Sequence, residues 1–411
     1  MWRLVGYEWK RILGSRMTRL VLLGCVLFLA FCVYSQIQQI QAWDENGKPL
    51  NGLAAARHLR EVRKEENLTQ SRIQEIMEEY LGYTEGEDTG SGKESMEFLS
   101  EKLYTSYYLQ NQELLQLLSG TYQLFGEDIS QKEIFQQNLN RDFYQVRREN
   151  TANWLTNAEG RGEVTPIERE YWLSKDLKVG VYQYGYYEGW KKILDASGWA
   201  LVIMMAISVG IAPIFAGECQ SKFDSILLCM KHGRGRLIRA KLLAAFLYTS
   251  AVYWGILLGV WAVYLGILGT EGGGLPIQIY YQSRPVSFDL TMNQAAVLTA
   301  FLGYLANLAM MGIVLEMSSI MKHTYGVIVC AFLGMIIPSF LFPNMGGYLW
   351  QHVLALIPAK ITDFSFQSYL AYSAGGKVWT LPTMLVMVDL IGAAAMGSFA
   401  YVRFRRHQVN R

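Results

Sequence analysis

The sequence predicts an all-α integral membrane protein with six transmembrane helices, cytoplasmic N- and C-termini, and a large helical extracytoplasmic insertion between helices 1 and 2. Three observations lead there. Long uncharged apolar runs recur along the chain, and a helix needs about 20 mostly apolar residues to cross about 30 Å of hydrocarbon. Charge divides sharply: residues 36–195 hold 27 Asp or Glu against 18 Lys or Arg, a net of −9, whereas the remainder carries a net of +11. Finally, Lys and Arg collect at alternate span ends. With the N-terminus inside, 16 basic residues fall in cytoplasmic segments, against Arg284, Lys360 and Lys377 in the two short outer loops.

The first unit, 1–35, opens with "MWRLVGYEWKRILG". Trp2, Val5, Trp9, Ile12 and Leu13 recur at helical spacing and Arg3, Lys10 and Arg11 take the other face, so an amphipathic helix at the inner interface is predicted. The run from Leu20 to about Ile40 follows. Its apolar core is long for a cleaved signal, and "YSQIQQIQAWD" offers no small-residue cleavage site, so it reads as a retained span.

The second unit, 36–195, shows helical periodicity over 53–81, 96–118 and 132–147, with an acidic, Gly-rich loop at 82–95. It has no cysteine; Cys25, Cys32 and Cys330 lie in spans and Cys219 and Cys229 in a polar stretch, so no disulfide framework is available. At its exit Tyr182, Tyr184, Tyr186, Tyr187 and Trp190 predict an outer interfacial aromatic belt.

The third unit, 196–411, carries spans 2 to 6: Ala196–Gly217, then runs within 242–270, 290–315 and 324–343, and a last from about Val378 to Val402. The apolar loop 342–377, broken by Gly and Pro, is expected to dip back into the outer leaflet. Asp389 falls near the middle of span six, where an ionisable group is costly and marks a substrate-path or proton-linked site or, more plainly, a buried carboxyl joining two helices; Asn307 in span four is its candidate partner.

Between spans 2 and 3 lies "AGECQSKFDSILLCMKHGRGRLIRAKLLAA", with eight charged residues from Glu218 to Lys241. Phe223, Ile226, Leu227 and Met230 are spaced i, i+3, i+4, i+7, which puts an apolar face on a short helix at about 218–232, with Gly233 as its stop. Such a helix rests on lipid or inserts into a partner's groove.

Chemistry is conspicuous by omission. "TGSGKE" lacks the spacing and the Ser or Thr of a phosphate-binding loop, the five histidines are scattered without metal-ligand spacing, and no G-x-S-x-G appears. A non-catalytic membrane subunit without metal or cofactor is expected.

The interfacial "YEWKRIL" helix, the paired spans, and Glu218 followed by "SILL" and "HGRGRLIRAKLLAA" resemble the permease subunit of type-2 ATP-binding-cassette transporters. The six-span layout covers the chain apart from the insertion, a departure from the simplest members, which have a short loop there. The resemblance implies an exporter core of two permease chains, identical or not, with separate subunits that bind and hydrolyse ATP, placed in a bacterial plasma membrane amid its lipids. It implies that the helix after span 2 couples the two: Glu218 begins it, Phe223, Ile226, Leu227 and Met230 dock, and Arg234 and Lys241 form a basic exit. The transported substrate is unspecified, and nucleic acid is not expected as a partner. A membrane-anchored sensor or scaffold with an extracytoplasmic binding domain is the alternative reading; an ion-coupled transporter would show internal symmetry, which the sequence lacks.

Overall fold

The computed structural model describes residues 1–44, 48–84, 107–123, 129–223, 226, 230, 233–282, 285–342 and 346–406, apart from the side chain of Arg234. It is mostly helical. The N-terminal segment forms α1 (Trp2–Gly14), separated from α2 (Arg16–Gln38) by Ser15 in extended conformation, ψ 127°. That one extended residue turns the chain, so α1 is a helix of its own. Its buried residues Val5, Glu8 and Ile12 share one face, while Trp2 stays exposed.

After the insertion come α9 (Glu188–Asp195), a 3-10 turn at Ala196–Trp199, α10 (Ala200–Ile211) and α11 (Pro213–Gln220). Then α12 (Ile238–Leu268), α13 (Met292–Ile320), α14 (Thr324–Ser339), α15 (Tyr348–Ala355) and α16 (Leu381–Arg406) follow. Among the described residues five helical stretches are long and apolar enough to cross a membrane: α2, Glu188–Gln220, Gly235–Leu268, α13 and α16. The remaining apolar run, 324–343, gives α14, whose 16 residues extend about 24 Å.

The second and fourth of these stretches are 72% and 67% buried over their most apolar windows, against 17–22% for the other three, so α10 and α13 form the centre of the bundle. Gly312 lets α16 approach α13 closely, since a Cβ there would sit 3.0 Å from Met396 Cβ. Arg403 pairs with Glu316 at 3.5 Å, so α13 and α16 run parallel.

Proline dictates the joint between α10 and α11. Pro213 has no N–H and breaks the helical ladder, and a buried hydroxyl from α13 repairs it. Ser318 Oγ accepts from Phe215 N at 3.1 Å and Ala216 N at 3.0 Å, and donates to Ala212 O at 2.7 Å.

The insertion begins with the antiparallel pair β1 (Gln41–Trp43) and β2 (Pro49–Asn51), then α3 (Leu53–Val62), β3 (Glu66–Asn67) and α4 (Gln70–Thr84). It continues with α5 (Leu109–Tyr122), α6 (Gln131–Asn138), α7 (Phe143–Gly160), α8 (Pro166–Asp176) and β4 (Gln183–Tyr184). The helix expected over 53–81 is therefore two helices, interrupted where β3 pairs with β4 and ties the start of the insertion to its end. Likewise the stretch 132–147 divides at Asp142, whose carboxylate caps α7 by accepting from Gln145 N at 2.7 Å. The expected loop 82–95 lies, from residue 85 onward, outside the described residues, as does the expected helix 96–118 up to residue 106.

Tyr182, Tyr184, Tyr186 and Tyr187 correct the expected lipid belt: each is at most 5% exposed. They sit in one apolar core that runs from Phe135 and Phe143 of the insertion to Tyr264 and Leu268 of α12 and Met292 of α13. Tyr186 donates to Leu268 O at 2.8 Å, and a Cβ on Gly272 (φ 77°) would lie 2.2 Å from Tyr186 O, so only glycine fits that approach. The loop after α14, expected to dip back into the outer leaflet, has regular structure of its own. It forms α15, a 3-10 turn at Pro358–Asp363 and the hairpin β5 (Ala371–Ala374) and β6 (Lys377–Thr380). Trp172 of α8 donates to Tyr369 O at 2.8 Å, which fastens this loop to the insertion.

Candidate functional site

At the end of the bundle opposite the insertion, α11 stops at Gln220. Lys222 takes a left-handed conformation, φ 56°, while its N–H reaches Cys219 O at 3.1 Å and Phe223 N–H reaches Glu218 O at 3.0 Å. This pair of bonds is the Schellman ending, which satisfies the last carbonyls of a helix. Glu218 therefore lies in the final turn of the helix that leaves span 2, whereas the family resemblance implies that it begins a new one. Gly233, the expected stop, opens the π turn Gly233–Leu237 that leads into α12; of the stretch before it, 224–232, only Ile226 and Met230 are among the described residues.

Three of the four predicted docking residues are described, and all three stand out in solvent. Phe223, Ile226 and Met230 are 49%, 56% and 49% exposed. Leu227 and the side chain of Arg234 lie outside the described residues. Arg236 and Arg239, on the way into α12, are exposed.

Glu218 and Lys241 point the other way, into a buried charge cluster with α1. Lys241 Nζ lies 3.0 Å from Glu8 Oε1 and 2.5 Å from Glu218 Oε1, and Arg11 Nη1 lies 2.8 Å from Glu218 Oε1 and 3.4 Å from Glu8 Oε2. Two cations thus meet two carboxylates, and Lys241 has no exposed surface. Sequence reasoning missed Glu8, though a signal was present: it is the acidic residue on the apolar face set by Val5 and Ile12.

Asn307 and Asp389 are both 1% exposed. Asn307 Nδ2 donates to Gly303 O at 2.8 Å, whereas Asn307 Oδ1 and both carboxyl oxygens of Asp389 have no hydrogen-bond partner among the described residues. Since α13 and α16 are parallel and Gly312 packs on Ala393, these two residues, each about one turn before that contact, lie at the same depth.

A second charge cluster, not foreseen, joins the insertion to the membrane helices. Arg63 pairs with Glu113 at 2.7 Å and Glu188 at 3.6 Å, Lys191 also pairs with Glu113, and Tyr187 donates to Glu113 Oε2 at 3.2 Å. Burial pushes the Glu113 carboxyl up, but the Arg63 guanidinium and the Lys191 ammonium outweigh it and hold the group at about 2. On the other flank Arg147 Nη2 pairs with Asp176 Oδ2 at 2.9 Å, and Ser287 donates to Asp176 Oδ1 at 2.7 Å.

Compared with protein families, with curated proteins and with solved structures, the chain matches none.

Proposed function

We propose that the chain is the permease subunit of an ATP-binding-cassette exporter. The observation that carries this reading is the exposed apolar trio Phe223, Ile226 and Met230, held between two membrane-length helices at the face that bears α1. Large apolar side chains there favour a protein groove as their partner. The partner is a separate ATPase subunit, which binds the ATP; Leu227 belongs to the same docking face, and Arg234 to the basic exit beside it.

In this reading the termini and the 218–241 stretch are cytoplasmic, the insertion is outside, and α14 also spans, as the fifth of six in chain order. Its shortness is met by local thinning of the bilayer, at fractions of a kcal/mol per Å. A second permease chain completes the transport path, with Asn307 and Asp389 as the polar residues assigned to it. An ATPase shifts the permease between states only by binding them differently. Glu218 and Lys241 link the docking segment to α1, so its displacement reaches α11, α12 and α1 together.

The test is purification of the full chain from native membranes, with its stoichiometric partners identified by mass spectrometry. A nucleotide-binding subunit is expected, and Ile226→Asp or Leu227→Asp should remove it while leaving membrane insertion unchanged. Absence of such a subunit from the native chain, or its full retention by both variants, would overturn the reading.

A further inference from the structure

His352 of α15 is 5% exposed, and both nitrogens of its ring meet backbone oxygens. Nδ1 lies 2.7 Å from Tyr348 O, one turn back in α15, and Nε2 lies 2.8 Å from Ala371 O of β5. A neutral imidazole carries one N–H and one lone pair, whereas a carbonyl oxygen only accepts. Either neutral tautomer therefore sets a lone pair against a carbonyl oxygen at hydrogen-bond distance. Only the imidazolium, with a hydrogen on each nitrogen, satisfies both contacts.

The surroundings suit a cation. The Tyr348 ring lies over the imidazole, with centroids 3.8 Å and planes 33° apart, and the Tyr372 ring stands across it at 4.9 Å. Aromatic rings attract a positive group held against them. The Tyr372 hydroxyl donates to His352 O at 2.8 Å, so β5 and α15 hold each other from both sides. The Tyr348 hydroxyl donates to Glu168 Oε1 of α8 at 2.8 Å, which places a buried carboxylate behind the stacked ring. On the 3-10 turn packed against α15, Lys360 and Asp363 are paired with each other at 2.5 Å, and Lys377 at the start of β6 is exposed. Burial raises the Tyr348 hydroxyl to about 12 and raises the Tyr372 hydroxyl too, so both keep their hydrogen near neutral pH.

We propose that His352 is a pH-sensitive latch, closed in its imidazolium form, fastening α15, which follows α14, to the hairpin β5–β6, which leads into α16. A histidine ordinarily changes charge between about pH 5 and 8. At the acid end of that range both bonds are made, and a charged donor roughly doubles the strength of each. As pH rises the ring gives up one hydrogen, one of the two contacts turns repulsive, and the seam between α15 and β5 loosens. The inference stands apart from the permease reading, since it needs only the folded loop between two bundle helices.

The test is amide hydrogen exchange of the full chain in detergent micelles at pH 5.5 and pH 8, expressed as protection factors, in the native chain and in His352→Gln. Protection over 348–355 and 371–374 is expected to fall about tenfold between the two pH values in the native chain, the worth of one hydrogen bond to a charged group. Protection of α7 should not change. In His352→Gln, whose amide does not titrate, the step should vanish. Equal protection of the native chain at the two pH values overturns the proposal. So does a step of the same size in the variant, which would assign it to another group. Should the variant fail to fold, exchange of the imidazole Cε1 hydrogen, assigned to His352 by mass spectrometry of its own peptide, decides in its place. Its pH profile has to coincide with the loss of protection, and a profile displaced from that loss overturns the latch.

Discussion

Lys241 has no contact with solvent, and its ammonium is paired with Glu8 and Glu218. Removing one member of a buried ion group is severe because the remainder keep uncompensated charge, about 3–5 kcal/mol. Lys241→Met leaves two carboxylates sharing Arg11, so its unfolding temperature in detergent should fall steeply. Lys241→Met combined with Glu218→Gln removes one charge of each sign and should recover most of the loss. Equal stability of the single variant and the native chain would show the cluster to be energetically idle. The sequence announced these residues only in part. Glu218 and Lys241 bound a polar gap and so read as surface, while their partners sit 210 and 233 positions away in Glu8. Nothing local distinguishes a charge that faces water from one that faces a distant helix.

Among the elements, the apolar runs fixed α2, α12, α13 and α16 to within a few residues, because twenty uncharged positions have few alternatives to a spanning helix. The misplacements have a common cause. Aromatic residues beside a span look alike whether they meet lipid headgroups or a protein domain, and the four tyrosines of 182–187 meet a domain. The joint between α10 and α11 is not legible in the apolar run Ala196–Gly217, which reads as one span. Pro213 breaks the ladder, and the hydroxyl that repairs it comes from Ser318, over a hundred positions on. Ser318→Ala should strand two buried N–H groups and lower stability by about 1–3 kcal/mol. With Pro213→Ala present the backbone can close its own ladder, and the same serine change should then cost well under half as much. A double-mutant cycle on denaturant-induced unfolding measures this; additive effects would mean that Ser318 does not serve the proline break.

At the scale of the whole molecule, the insertion and the membrane helices share one core, and the cluster around Glu113 sits at their seam. Continuous packing predicts that the two halves open together rather than as separate domains. Glu113→Ala should therefore speed amide exchange not only in α5, where it resides, but also around 264–268 at the end of α12, which contacts the same core. Acid supplies the same perturbation without a mutation. The carboxyl is held at about 2 in the folded chain and titrates near 4.3 when unfolded, so its contribution is fully present above that value. As pH falls from about 4.3 toward 2 the unfolded chain takes up the proton first, and stability drains away across that window. Protection factors, which divide out the intrinsic pH dependence of amide exchange, should fall in both regions of the native chain between pH 6 and pH 3, with a smaller pH effect in Glu113→Gln. Acceleration confined to α5 would instead mean that the insertion is an independent unit resting on the bundle, and that motions of the membrane helices need not reach it.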